Sequence, residues 1–132
     1  MMDNFEERRR ELGLECAILI ADFHYLINLN SYIKLIENFL DHKIDIEEFD
    51  ETFCEMRNLD CTRECKWEVM LYIIDNLELK QFQGLSSIIS KLFTDLDVFE
   101  EDPLLRKDYE INEEELRDFA KEALSKLRNY CD

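Results

Sequence analysis

Apolar residues recur at helical intervals along most of this chain. Leu85, Ile88, Ile89, Leu92, Phe93 and Leu96 form a regular i, i+3, i+4, i+7 stripe, the spacing that lines one face of a helix. Leu116, Phe119, Ala120, Ala123, Leu124 and Leu127 repeat the pattern near the C-terminus. Two shorter stripes precede them: Tyr32, Ile33, Leu35, Ile36, Phe39 and Leu40, then Ile46, Phe49, Phe53 and Met56. A further helix is expected over Glu64 to Leu79, with Trp67, Met70, Leu71, Ile74 and Leu77 inward. Leu14 to Leu29 is apolar almost all round and reads as a buried helix. A central strand over Cys16 to Ala21 is its rival, since periodicity does not separate the two in so apolar a run.

Punctuation divides these stripes. Asn4 to Glu11 is a charged helical stretch that Gly13 ends or bends. Asn30 or Ser31 is placed to cap the next helix, which should stop near the cations His42 and Lys43. Asp45, with Glu48 three residues on, is a variant of the capping box. The short connection between these helices predicts an antiparallel hairpin. Asn58 to Thr62 is expected to be a loop, with Thr62 capping the helix after it. Gly84 marks another break. Asp102 precedes the only proline, Pro103, and so leans extended. Asn112 caps the last helix with Glu115 at its third position, and Lys121, Lys126 and Arg128 sit toward its C-terminal half. Repeats and linkers are absent. The expected fold is one all-α domain over residues 1–132, a helical bundle of five or six helices.

Composition sharpens this picture. The 132 residues are 46% hydrophobic, and 32 acids face 16 bases for a net charge of −16. Direct nucleic-acid binding is not expected, since phosphate contact needs a basic face, and neither is an anionic membrane surface. Asp22 and His24 break the most apolar run short of a membrane span, and Glu15 spoils a secretion signal. Five cysteines without such a signal suggest reduced thiols and a cytoplasmic protein. The surplus apolar face of the N-terminal helix offers a homodimer contact. The charge is concentrated: ten carboxylates against Arg106 and Lys107 lie between Thr94 and Glu115, half of the net charge. Such a stretch suits a strongly basic partner.

Catalytic constellations are missing. The acids crowd one connection without a marked pair in a cleft. An EF-hand reading starts with Asp95 and Asp97 and fails at Phe99, Glu100 and Arg106, which stand at its fifth, sixth and twelfth positions. No glycine-rich phosphate loop or Ser/His/Asp set is apparent. Cys61 and Cys65 would share a helix face, but no second pair completes a metal site. No cofactor and no enzymatic activity are expected.

Two blocks resemble the colicin D immunity family of bacterial self-protection proteins, which includes immunity proteins of contact-dependent growth inhibition systems. The first is Tyr32 to Phe53, YIKLIENFLDHKIDIEEFDETF. The second is Leu92 to Leu127, with Leu92-Phe93, Phe99, Asp102, the Tyr109-Glu110-Ile111 run and the acidic opening of the last helix. The resemblance implies a helical antitoxin that binds the nuclease domain of a cognate toxin one to one, here a ribonuclease that cleaves transfer RNA. Acids near the second block would imitate RNA phosphates. Asp97, Glu100 and Asp102, flanking Phe99, are the matching positions. Asp95 and Glu101 strengthen the same field, and Asp108 and Glu110 complete the expected toxin-binding set. Met1 to Leu29 is an extension beyond the short family form, which leaves 30–132 as its core. Cys61 to Gly84 is longer and more apolar than that form. An acidic helical adaptor for another basic protein is the alternative.

Overall fold

The structure, a computed structural model, describes residues 14–62 and 84–131. Five helices occupy the described residues: α1 (Leu14–Ile27), α2 (Leu29–Leu40), α3 (Ile46–Thr62), α4 (Leu85–Asp97) and α5 (Glu113–Arg128). They form a single all-α domain. The expected helices over Asn4 to Glu11 and Glu64 to Leu79 lie outside the described residues. So do the side chains of residues 14–20, on which the expected pairing of two copies rests.

The stripes become the core. Tyr32, Ile36 and Phe39 of α2, Phe49 and Phe53 of α3, Leu85, Ile89 and Leu92 of α4, and Leu116, Ala120 and Leu127 of α5 are essentially solvent-free. α5 packs most extensively on α2 and α4, while α1 lies against α3 and α4. An aromatic spine joins the first three helices. Tyr25 meets Tyr32 edge-on at 5.7 Å, Tyr32 meets Phe53 at 5.9 Å, and Phe39 stacks on Phe49 at 4.3 Å. Such ring pairs add to the large apolar area that the rings already bury.

Two boundaries differ from the sequence expectation. α2 begins at Leu29 rather than after Asn30 or Ser31, while the run from Leu14 is the expected helix and not the rival strand. Asn28 precedes it without capping it through its side chain; its amide instead donates to Asp60 Oδ1 at 2.7 Å. Asn58 to Thr62, expected as a loop, is the last stretch of α3. Asp60 is buried there, accepting from Asn28 and, at 2.6 Å, from the Tyr32 hydroxyl. Tertiary hydrogen bonds hold a polar segment helical that local propensity assigns to a loop.

The other stops are as expected. α2 ends in a Schellman turn: Lys43 N–H reaches Asn38 O and His42 N–H reaches Phe39 O, with His42 in the left-handed region at φ 61°. Asp45 Oδ1 accepts the Glu48 N–H at 2.9 Å. Asn112 and Glu115 form a complete reciprocal capping box.

Candidate functional site

The connection from α4 to α5 is a closed loop. Phe99 and Ile111 form a parallel bridge. The Ile111 N–H donates to Val98 O at 2.9 Å and the Glu100 N–H donates to Ile111 O at 3.0 Å. Ile111 is buried, and Val98 and Phe99 pack on the core, so both ends of the loop are fixed in the bundle.

Two turns lie between. Pro103 starts the first, where its fixed φ suits the second turn position. Asp102 organises it: its carboxylate accepts the Leu104 N–H at 2.9 Å, and its carbonyl accepts the N–H groups of Leu105 and Arg106, each at 3.0 Å. In the second turn Lys107 and Glu110 exchange backbone and side-chain hydrogen bonds at 2.9 and 2.8 Å. Arg106 clasps the loop from inside, donating Nε to Glu100 O at 3.0 Å and Nη2 to Glu101 O at 3.2 Å.

That use of Arg106 decides the electrostatics. Its guanidinium goes to peptide carbonyls and neutralises no carboxylate directly. Lys107 points its ammonium toward the Tyr109 ring, 5.9 Å away. Among the described residues, Asp97, Glu101, Asp102 and Asp108 are exposed and make no ion pair. Glu100 and Glu110 are half-buried at the loop's base. Six of the eight sequence-selected residues are therefore acids of one ordered loop and its entrance, and Phe99 is the apolar foot that seats it.

Asp95 stands apart. It is buried on α4, with both carboxylate oxygens on Lys91 Nζ at 2.6 and 2.7 Å. Lys91 also lies 3.9 Å from the centre of the Phe119 ring. The contact links α4 to α5, and its charge is compensated locally.

Sequence reasoning missed the apolar tip of the same loop. Leu104 is 93% exposed, and Leu105 and Tyr109 are each 66% exposed. The signal was present: Leu104 and Leu105 belong to neither flanking stripe, and a Leu pair without a stripe has no core face to join.

Other polar groups in the described residues are structural in their contacts. His24 Nδ1 lies 3.2 Å from the backbone carbonyl of Asp60, so the pair is not an Asp–His dyad. Burial, followed by the hydrogen bond to Asp50, pushes the Cys54 thiol up to about 11, which leaves it protonated and poorly nucleophilic near neutral pH. Among the described residues no group of three His, Cys, Asp or Glu side chains is arranged to hold a metal, and no helix is long and apolar enough to cross a membrane. The side chain of Cys61 and all of Cys65 lie outside the described residues.

A family model described as bacterial self-protective colicin-like immunity matches residues 27–127. The match begins where α1 ends and runs to the last turn of α5. No curated protein and no solved structure matches the chain.

Proposed function

Because the chain belongs to the bacterial self-protective colicin-like immunity family, we propose that it neutralises the nuclease domain of a cognate toxin, a ribonuclease acting on transfer RNA, by covering its basic substrate-binding face with the acidic loop between α4 and α5. The observation that carries this reading is the set of exposed carboxylates without ion pairs at Asp97, which ends α4, and at Glu101, Asp102 and Asp108 on the loop after it, whose own arginine is spent on its backbone. A ribonuclease grips phosphate with Lys and Arg. Carboxylates presented to those cations make charge-assisted hydrogen bonds. Opposed fields also accelerate encounter, to about 10⁸–10⁹ M⁻¹s⁻¹ at low salt. That speed matters when the toxin must be met before it cuts. On this reading the protein works in the cytoplasm, one to one, by occupancy and without turnover, and it touches no nucleic acid itself.

The test uses the nuclease domain of the cognate toxin, sought in the gene adjoining the one for this chain. Equimolar protein should abolish cleavage of bulk transfer RNA and co-elute with the toxin as a one-to-one complex. Reversing Asp97, Glu101 and Asp108 to Lys should slow association by about 100-fold at low salt and leave helicity intact. Unimpeded cleavage by a toxin that the wild-type protein does not bind would refute the function. Unchanged association after the reversals would refute the role of the loop.

A further inference from the structure

We propose that Leu104 and Leu105, with Tyr109 beside them, are an apolar anchor that enters a pocket on the toxin's basic face and sets how long the complex lasts. This rests on the proposed function and names a second, chemically different determinant within the same loop.

The geometry is unusual for a solvated loop. A surface Leu is ordinary taken singly. Here two consecutive leucines stand at the crest of a turn, and Tyr109 on the next turn is equally open. They are held there. Asp102 fixes the backbone of both leucines through its carboxylate and carbonyl, and the Arg106 clasp and the Phe99–Ile111 bridge fix the loop beneath them. A tip ordered before binding loses less entropy on binding. In sequence Glu101 and Asp102 precede the leucines and Asp108 stands between them and Tyr109, all exposed. An apolar centre inside a polar, charged rim is the anatomy of a specific protein interface, with affinity concentrated in the few groups at the centre.

The rim selects the occupant. A second copy of this chain would bring two acidic rims together, and an anionic lipid surface would be repelled likewise. A basic protein surface is complementary. The leucines require that this surface also hold an apolar recess among its cations, so the partner is a cationic protein face with a hydrophobic pocket.

Rim charges and buried anchors separate kinetically, because the first act on association and the second on dissociation. Binding kinetics would be recorded with the toxin nuclease domain for four proteins: wild type, Leu104→Ser with Leu105→Ser, Leu104→Met with Leu105→Met, and the reversals of Asp97, Glu101 and Asp108, which leave the Asp102 contact to Leu104 in place. The leucine variant should dissociate about 30-fold faster with association within about threefold of wild type. That effect should be equal at about 50 and about 500 mM salt, whereas the effect of the reversals should shrink as salt screens them. Leu104→Met with Leu105→Met should restore slow dissociation. Thermal unfolding of the leucine variants should match wild type, since the side chains are exposed.

Unchanged dissociation in the serine variant, with slowed association in the charge variant, would overturn the anchor and leave the proposed function standing. Failure of the wild-type protein to bind the toxin would overturn both. A wild-type dimer that the serine substitutions convert to monomer would assign the tip to copy–copy contact and overturn the anchor.

Discussion

Asp22 interrupts an apolar helix and is fully buried, and its partner lies 64 positions away. Its Oδ1 accepts the N–H of Ser86, in the first turn of α4, at 2.6 Å. The residue before that helix is Gly84, which has no side chain with which to cap it. Glycine suits this position on two counts: φ is +102°, a region L side chains rarely adopt, and a Cβ would stand 2.8 Å from the Tyr130 hydroxyl, which would have to shift. One orphan N–H and the positive dipole end of α4 are thus served by a carboxylate from α1. Asp22→Ala should cost about 2 kcal/mol in urea unfolding, since it removes both the acceptor and the charge. Asp22→Asn keeps an acceptor and should cost about 0.5–1 kcal/mol. Equal losses for the two would show that burial, and not capping, is the role of this side chain.

At the level of elements, Arg117 ties α5 to the end of α2. Its guanidinium lies 4.3 Å from the centre of the Phe39 ring and donates Nη1 to the Phe39 carbonyl at 2.7 Å. That carbonyl belongs to the last turn of α2, where a cation also meets the negative end of the helix. Glu113, half-exposed, holds the guanidinium from one turn earlier at 3.2 Å. Replacing Arg117 with Met should lower stability by about 2 kcal/mol, from the charged hydrogen bond and the ring contact, and Arg117→Lys should recover less than half. Unfolding midpoints of the two variants give the comparison. This contact was beyond sequence reading, because its partners lie 78 positions apart; the Lys91–Asp95 pair has the legible i, i+4 spacing of a helix face, but its burial does not show in the sequence. The stripes over Leu85 to Leu96 and Leu116 to Leu127 were legible, since one repeating face fixes both the helix and its core side. So was the Asn112–Glu115 box, whose partners are three residues apart. The end of α3 was misread because Asp60 takes its partners from Tyr32 and Asn28, 28 and 32 residues distant. The loop's acids were legible as charge, and Leu104 and Leu105 as apolar residues outside any stripe; that they stand on an ordered turn needed the backbone that lifts them.

For the whole molecule, a net charge of −16 on 132 residues means that the folded chain repels itself. Among the described residues, the ion pairs Lys126–Glu122 and Arg128–Glu37 are exposed at the far end of α5 from the loop and do not cancel this. Raising salt from about 10 to about 150 mM should therefore raise the thermal midpoint by several degrees. Glu101→Gln with Asp108→Asn should reduce that increment, which calorimetry at the two salt concentrations would measure. A fall in the midpoint with salt would mean that attraction dominates. The bridge closing the acidic loop has a consequence of another kind. It is a clasp of peptide groups from Val98, Glu100 and Ile111, indifferent to the residues it encloses apart from Asp102, Arg106 and Glu110, whose side chains hold the turns within. On the proposed reading, the face presented to the toxin can then be rewritten side chain by side chain while the helices beneath keep their packing. Change of specificity is uncoupled from change of scaffold, so that a lineage confronted with an altered toxin can answer it with an altered loop on an inherited frame.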